Sequence, residues 1–409
     1  MNLAFPLSRE SRHDERLRDA LERCVETVTR RLPPGRLAAL VLSGSFARGE
    51  GTVWAAGPRL RVLGDLEFYV VFEQPADARR WAAPLAAWAR ETAGHLAAEG
   101  VAVDLEFGPV SRAFFARRAR PSIFVYDLRE HGKVLWGDAR VLAALPRFGT
   151  EAIPPEDALF LLFNRLTEQV AAWDRLDEAD ADDLVGLAYQ RAKLALDLAG
   201  SALAFVGRHC PVYDERPRAF SRLLAETPTL QAALPPTFAD ELRWAARVKS
   251  EPAEHLAAPA PGQVERYRAR LRRELRAAVP AAAAILRWEL AQLRRAGDAA
   301  PPLADLLAWY AASRPLARRL WDAAKFAVTP GRPPLPLSIR RALTLFARAT
   351  PRALLYHAAA LAYLALDGDR PADLDLGRLL PVRRDAWPED PAAQRRAIVA
   401  LWAWSIRNR

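Results

Sequence analysis

The sequence contains very little cysteine. Among its 409 residues only Cys24 and Cys210 occur, too few for a disulfide framework or a cysteine-based zinc ribbon. We therefore expect the protein to act in a reducing, cytoplasmic compartment.

The sequence also contains no long apolar run, and its pattern predicts no signal peptide. The best apolar candidate, residues 354–366, spans about 13 residues, whereas a membrane-spanning helix needs roughly 20. The first ten residues carry charged side chains and no apolar stretch of the kind found in signal peptides. We therefore expect no membrane partner.

Lysine is scarce although the chain is basic. Only four of the 59 basic residues are lysine, and the formal net charge is +10. The abundant alanine and proline indicate GC-rich coding, so the charge is not by itself evidence of nucleic-acid binding. The excess is regional, because residues 251–409 carry 26 Lys and Arg against 15 Asp and Glu, a net charge of +11.

Hydrophobic periodicity divides the chain into a part with strands and a part without them. Apolar patterns predict helices at 14–31 and 76–100 and strands at 37–42, 66–72, 101–107 and 133–136. After Pro155 helix patterns follow one another, separated by proline and glycine. The predicted fold class is α+β, with domains at 1–150, 151–258 and 259–409.

The first candidate site is the turn after the strand at 37–42. The strand runs into Gly44 and Ser45, and Arg48 follows about one helical turn later. A strand that ends in Gly-Ser and opens a helix presents free backbone N–H groups, which favour phosphate oxygens. Arg48 is either a phosphate clamp or a surface residue. An ordinary turn is the alternative interpretation of the whole segment.

Two later strands carry alternating acids. Asp65 and Glu67 share one face of their strand, and Asp104 and Glu106 share one face of another. If these strands are neighbours, Asp104 completes a cluster of three carboxylates, with Glu106 as the alternative third member. Such a cluster suits hard divalent cations and two-metal phosphoryl transfer. A half-exposed strand with an ordinary polar face is the competing interpretation.

In combination these motifs resemble the nucleotidyltransferase superfamily typified by DNA polymerase β. The likeness rests on Gly-Ser-Phe-Ala-Arg-Gly at 44–49, on Asp-Leu-Glu at 65–67 and on the acid at 104. The closer likeness is to the bacterial minimal and aminoglycoside nucleotidyltransferases, in many of which a segment similar to residues 126–137 closes the domain. The resemblance covers roughly residues 35–140.

The resemblance implies a fold, a chemistry and residue roles. The fold is a small mixed-sheet nucleotidyltransferase domain followed by helical regions that supply the acceptor pocket. Gly44 and Ser45 would hold the triphosphate. Asp65 and Glu67 would bind two Mg²⁺ ions, and Asp104 would ligate metal and help to activate the acceptor. The implied reaction transfers a nucleoside monophosphate from an NTP to a hydroxyl of a small molecule or protein and releases pyrophosphate. The expected donor is ATP, which would transfer AMP.

The sequence departs from the family pattern in two places. The gap between Ser45 and Asp65 is about twice the usual spacing, so residues 50–62 form an insertion, and Gly64 stands where the family commonly has serine. The insertion is either an active-site flap or a sign of altered triphosphate binding. In the helical region, Lys193 either contacts the nucleotide or lies on a solvated helix face.

A second function class stays open, namely a catalytically degenerate nucleotide- or RNA-binding protein that acts as an interaction platform. The arginines at 268–276, together with Arg340 and Arg341, can bind RNA or DNA through counterion release, or they belong to solvated faces. No recognisable nucleic-acid module accompanies them. We therefore favour a small-molecule or protein acceptor over a polynucleotide.

Overall fold

Apolar alternation in the first 140 residues produces a five-stranded mixed sheet. The computed structural model describes residues 5–296, 301–368 and 375–407. The strands are β1 (Leu37–Leu42), β2 (Val53–Ala56), β3 (Arg59–Phe72), β4 (Val101–Ser111) and β5 (Lys133–Gly137). Three pairs are antiparallel, β2–β3, β1–β3 and β1–β5, whereas β3 and β4 run parallel. The sheet and the many helices confirm the predicted α+β class.

The long strand β3 organises this sheet. Along one edge it pairs with β4. The other edge is divided, because residues 59–62 pair with β2 and residues 68–72 pair with β1. The insertion predicted at residues 50–62 is therefore a β-hairpin that lengthens β3 towards its amino end, so the strand begins at Arg59 and not at Leu66 as the sequence pattern predicted.

Helices cover both faces of the sheet. In this part of the chain they are α1 (Asp14–Arg31), α2 (Gly44–Ala47), α3 (Pro75–Ala98), α4 (Arg112–Arg117) and α5 (Ile123–His131). One apolar core joins the sheet to α1 and α3, and a second joins the opposite face to α4 and α5. Alternate residues of β1 enter different cores: Leu40 and Leu42 the first, Ala39 and Val41 the second. The sequence pattern did not predict helix α5.

After residue 150 the described regular structure is almost entirely helical, as predicted. The helices are α6 (Pro155–Arg175), α7 (Ala181–Phe205), α8 (Arg216–Glu226), α9 (Pro228–Ala233), α10 (Phe238–Ser250), α11 (Pro252–His255), α12 (Val264–Ala277), α13 (Val279–Arg294), α14 (Leu303–Ala312), α15 (Leu316–Ala327), α16 (Ile339–Phe346), α17 (Pro351–Leu364) and α18 (Pro391–Trp402). Within the described ranges no helix is both long enough and apolar enough to cross a membrane.

The chain divides into two compact units, each built from separate stretches of sequence. The first consists of Met1–Asp157, Leu203–Ala219 and Leu242–Ala257; the second consists of Ala158–Ala202, Phe220–Glu241 and Ala258–Arg409. The sequence predicted contiguous domains with a first boundary at residue 150. The stretch Leu242–Ala257 joins the rest of the first unit partly at β2 and the residue before it. Thr52 Oγ1 donates to the Lys249 carbonyl at 3.1 Å, and Trp54 Nε1 donates to the Leu256 carbonyl at 3.3 Å.

The second unit is built around the buried helix α17. Every residue of this helix except Arg352 is buried, which explains the apolar run that the sequence shows there. Asn164 fixes the surrounding helices, because its Oδ1 accepts from the Tyr356 hydroxyl at 2.7 Å and from the Trp402 indole N–H at 3.0 Å. A single side-chain amide oxygen thus joins α6, α17 and α18.

A carboxyl group lies fully buried in the same unit. Glu289 Oε1 lies 2.7 Å from Ser201 Oγ, which also lies 2.9 Å from the Ala158 carbonyl oxygen. A hydroxyl has one proton, so when Ser201 donates to the carbonyl, Glu289 must donate to Ser201. Burial raises the pKa of Glu289 to about 8, against a smaller opposing effect of Ser201. We conclude that Glu289 is protonated near neutral pH.

We expect this carboxyl group to make stability depend on pH. The folded state retains a proton that the unfolded chain releases near pH 4.5, so the free energy of unfolding falls as pH rises from about 4.5 to about 8 and levels off above that. Glu289→Gln keeps a donor and cannot ionise. The substitution should remove this fall. The free energy of unfolding should therefore rise by a few kcal/mol at pH 8.5 and hardly change at pH 4.5.

Urea unfolding at pH 4.5, 6.5 and 8.5 measures the effect. Glu178→Gln is the matched control, because Glu178 is an exposed acid of the same unit. Equal pH profiles for Glu289→Gln and the unmodified chain would contradict a neutral buried carboxyl group.

Candidate functional site

The divided edge of β3 creates the candidate site. Between the part that pairs with β1 and the part that pairs with β2, the segment 43–52 leaves the sheet and returns to it. Its two ends are attached to β3, because the Ser43 N–H donates to the Glu67 carbonyl at 2.9 Å and the Leu63 N–H donates to the Thr52 carbonyl at 2.9 Å. The turn with Gly44 and Ser45 therefore lies beside the stretch of β3 that carries Asp65 and Glu67.

Glu67 lies directly against this turn. Ser43 Oγ donates to Glu67 Oε2 at 3.2 Å. Gly44 has a φ of +68°, and a Cβ at this position would lie 2.8 Å from Glu67 Oε2. The left-handed backbone favours glycine at this position, and an added Cβ would displace the end of the Glu67 side chain.

The predicted acids meet across the β3–β4 pair. Asp65 is the register partner of Asp104, and Glu67 is the register partner of Glu106. Since side chains in register on adjacent parallel strands point to the same face, all four acids share one face of the sheet. Asp65 and Glu67 are half-buried, whereas Asp104 and Glu106 are exposed. This is the neighbourhood that the sequence predicted for a three-carboxylate cluster.

The pKa of a tyrosine on the same face is affected by the negative charge of these acids. Tyr69 follows Glu67 by two residues on β3 and packs against Phe124, with 4.9 Å between ring centres. Burial raises the pKa of the Tyr69 hydroxyl, and the carboxylates of Glu67 and Glu106 raise it further. The negative potential of the acids thus extends along the face towards α5.

The side chains of the three predicted ligands do not converge to metal-binding distance. In the part of the chain that the structure describes, only Glu251, Glu254 and His255 bring three ligand atoms within 4.8 Å of one another. Asp65, Glu67 and Asp104 nevertheless fit a hard divalent cation by donor type, because they offer carboxylate oxygens from adjacent positions of one face. Carboxylates that share a site repel one another and are held closer by a cation.

The helix that opens after β1 is short. Helix α2 has four residues, Gly44–Ala47, so it contributes few oriented peptide dipoles. The Ser45 side chain is half-buried, and among the described residues its hydroxyl has no hydrogen-bond partner. Backbone N–H groups of the turn and the Ser45 hydroxyl are thus the donors available beside Glu67.

Arg48 lies in a buried ion-pair network. Its side chain is 6% exposed and contacts Glu50 at 3.0 Å and Asp127 at 3.4 Å. Burial by itself would lower the pKa of Arg48, but Tyr213, Asp127 and Glu50 outweigh it, and the net shift is upward. These contacts favour a structural role for Arg48 over a direct phosphate clamp.

The sequence analysis missed the partners of this network. Asp127 lies 2.8 Å from His209 Nε2, and His209 keeps the pKa of Asp127 low although burial alone would raise it. The Glu50 carboxylate accepts from the Tyr213 N–H at 3.1 Å. Because the partners are separated by 82 residues in one case and 163 in the other, no local motif could have identified them.

Lys193 belongs to the second compact unit. Its ammonium group lies 5.9 Å from the ring centre of Tyr189 on the same helix, α7. The other predicted site residues all belong to the first unit. The role of Lys193 towards a nucleotide stays a prediction.

Comparison with protein-family models, with curated proteins and with solved structures finds no match to this chain.

The contact between Gly44 and Glu67 predicts a specific energetic coupling. Gly57 is the matched control, because it has a φ of +62° and a Cβ there would meet nothing within 4 Å. Each glycine-to-alanine change should cost about 1–2 kcal/mol for the left-handed backbone. Only Gly44→Ala should also displace the Glu67 carboxylate.

A double-mutant cycle with Glu67→Ala tests this prediction by chemical denaturation. We expect a coupling of about 0.5–1 kcal/mol for the Gly44 pair and none for the Gly57 pair. Equal coupling in both cycles would show that the carboxylate does not lie against the turn.

The buried network predicts a large stability effect at Arg48. Arg48→Met should cost about 3 kcal/mol, because Glu50 and Asp127 would lose their positive partner in a largely buried site. Arg23→Met is the control: Arg23 pairs with Glu99 at 2.9 Å, but both side chains are about half exposed, so it should cost less than about 1 kcal/mol. Similar losses for the two variants in urea unfolding would contradict the network.

Proposed function

We propose that this protein is a magnesium-dependent nucleotidyltransferase. The observation that carries the proposal is the position of Glu67, whose carboxylate lies against the Gly44 turn on the same sheet face as Asp65 and its register partner Asp104. A phosphate-holding turn beside adjacent carboxylates is what transfer of a nucleoside monophosphate requires. The resemblance of these motifs to the nucleotidyltransferase superfamily supports the same chemistry.

The carboxylates are proposed to hold two Mg²⁺ ions. Asp65 and Glu67 would bind them, and Asp104 would supply the third carboxylate. Bound Mg²⁺ would neutralise charge on the phosphates and orient the reacting groups. In the protein itself, Ser43 holds Glu67 Oε2 in position and Gly44 leaves the space that this carboxylate occupies.

The turn is proposed to bind the triphosphate of the donor, ATP in the first instance or another NTP. The backbone N–H groups near Gly44 and the Ser45 hydroxyl would donate to phosphate oxygens. Arg48 would act as a positioning residue, because its ion pairs with Glu50 and Asp127 fix the chain just after the turn.

The acceptor is proposed to be a hydroxyl group of a small molecule or a protein. Asp104 is exposed on β4, opposite Asp65, so an acceptor can approach it from solvent. Its carboxylate would orient the attacking hydroxyl and favour loss of its proton. The acceptor oxygen would then form a bond to the α-phosphorus while the bond to pyrophosphate breaks.

Calorimetric titration of ATP and of each other NTP, with Mg²⁺ and with EDTA, tests the donor site. We expect binding that requires Mg²⁺ and that weakens at least tenfold in Asp65→Asn/Glu67→Gln, because this variant removes two metal-binding charges. Glu15→Gln/Asp19→Asn is the matched control, since it removes the same charge from exposed positions of α1 and should bind as the unmodified chain does.

Asp104→Asn separates binding from chemistry. It should bind the nucleotide within a few-fold of the unmodified chain, yet fail to release pyrophosphate with any acceptor hydroxyl that the unmodified chain uses. If the folded, unmodified chain binds no NTP, the catalytically degenerate alternative replaces this proposal. Binding that is indifferent to Mg²⁺ and to Asp65→Asn/Glu67→Gln would also overturn it.

A further inference from the structure

A cavity lined by arginine lies in the second compact unit, among the later helices of the chain. Its volume is about 550 Å³, within the range of small-molecule sites. Of the described residues that line it, five are arginines and one is an acid; the arginines are Arg340, Arg341, Arg378, Arg383 and Arg384, and the acid is Asp385. Such an excess of one charge sign around one concave surface favours an anionic ligand.

The backbone brings two distant arginine pairs to this cavity. Leu337 and Val382 form an isolated antiparallel bridge. On either side of it, the Ser338 N–H donates to the Pro381 carbonyl at 2.8 Å and the Arg383 N–H donates to the Pro336 carbonyl at 2.9 Å. These hydrogen bonds fix the start of α16 against the segment that carries the second pair, so the convergence of the arginines is built into the fold.

Part of the positive charge has no partner in the described protein. Arg383 pairs with Asp385, and Arg378 pairs with Asp375. Arg341 donates to backbone carbonyl groups. Within residues 5–296, 301–368 and 375–407, the guanidinium groups of Arg340 and Arg384 have no hydrogen-bond or ion-pair partner. Two arginines on opposite sides of the bridge are therefore available to a ligand.

The lining suits phosphate groups and offers no stacking surface for a nucleobase. A planar guanidinium group binds phosphate through two parallel hydrogen bonds. Ser338 and Thr344 add hydroxyl groups. Among the described residues the lining contains no aromatic side chain, whereas proteins that bind single-stranded nucleic acids stack bases on aromatic side chains.

From these observations we infer that the cavity binds a small ligand with two or more phosphate groups, held by Arg340 and Arg384 across the Leu337–Val382 bridge. This site is separate from the proposed nucleotidyltransferase site, because all of its lining residues lie in the second unit. Its ligand needs neither Asp65 nor Glu67.

Calorimetric titration of inorganic tripolyphosphate into the full chain, without Mg²⁺, tests the inference. We expect saturable binding that weakens at least tenfold in Arg340→Gln/Arg384→Gln, because two charge-assisted contacts are lost. Arg332→Gln/Arg348→Gln is the matched control: both arginines are exposed, lie in the same unit and are outside the cavity lining. Thermal unfolding of both variants checks that they remain folded.

The possible outcomes separate this site from general electrostatics and from the first site. Loss of binding only in Arg340→Gln/Arg384→Gln, with retention in Asp65→Asn/Glu67→Gln, supports the inference whether or not the proposed nucleotidyl transfer holds. Equal weakening in the two arginine variants would overturn it in favour of unspecific charge attraction. A single-stranded RNA oligonucleotide that displaces tripolyphosphate and binds more tightly through the same two arginines would overturn it in favour of nucleic acid.

Discussion

The divided edge of β3 is the constraint on which the candidate site depends. The same residues on one edge of β3 cannot pair with both β1 and β2. The chain that connects β1 to β2 must therefore leave the sheet, and its backbone groups must still be hydrogen-bonded. The bonds from Ser43 to Glu67 and from Leu63 to Thr52 satisfy this requirement at both ends of the segment. The turn with Gly44 is thereby held against the acids of β3, and no additional element is needed to bring them together.

Much of the fold was predictable because it depends on local patterns. The alternation in residues 66–72 and 101–107 predicted both strands, and with them the shared face of Asp65 and Glu67. What alternation does not encode is strand order. The parallel register that sets Asp65 opposite Asp104 depends on how α3 connects β3 to β4, and the sequence analysis could state it only as a condition. The hairpin at 53–62 was missed because its short strands lie inside a segment interpreted as an insertion.

The environment of Arg48 illustrates a second limit. Its position one turn after Gly-Ser suggested a phosphate ligand, but a side chain of that length has several charged groups within reach. The ion pairs with Glu50 and Asp127 decide its environment, and the hydrogen bond of Asp127 with His209 extends the network to a distant part of the chain. Pair separations of this size leave no periodic trace in one sequence, so only the three-dimensional structure reveals them.

The discontinuous composition of the first unit has a consequence for synthesis on the ribosome. Thr52, the residue before β2, and Trp54 of β2 donate to the carbonyls of Lys249 and Leu256. The Glu50 carboxylate accepts from the Tyr213 N–H. These partners emerge more than 150 residues after the sheet strands they stabilise. Contacts of such long range form late. The hydrogen bonds of the segment next to the candidate site therefore cannot be completed until Leu256 has left the exit tunnel.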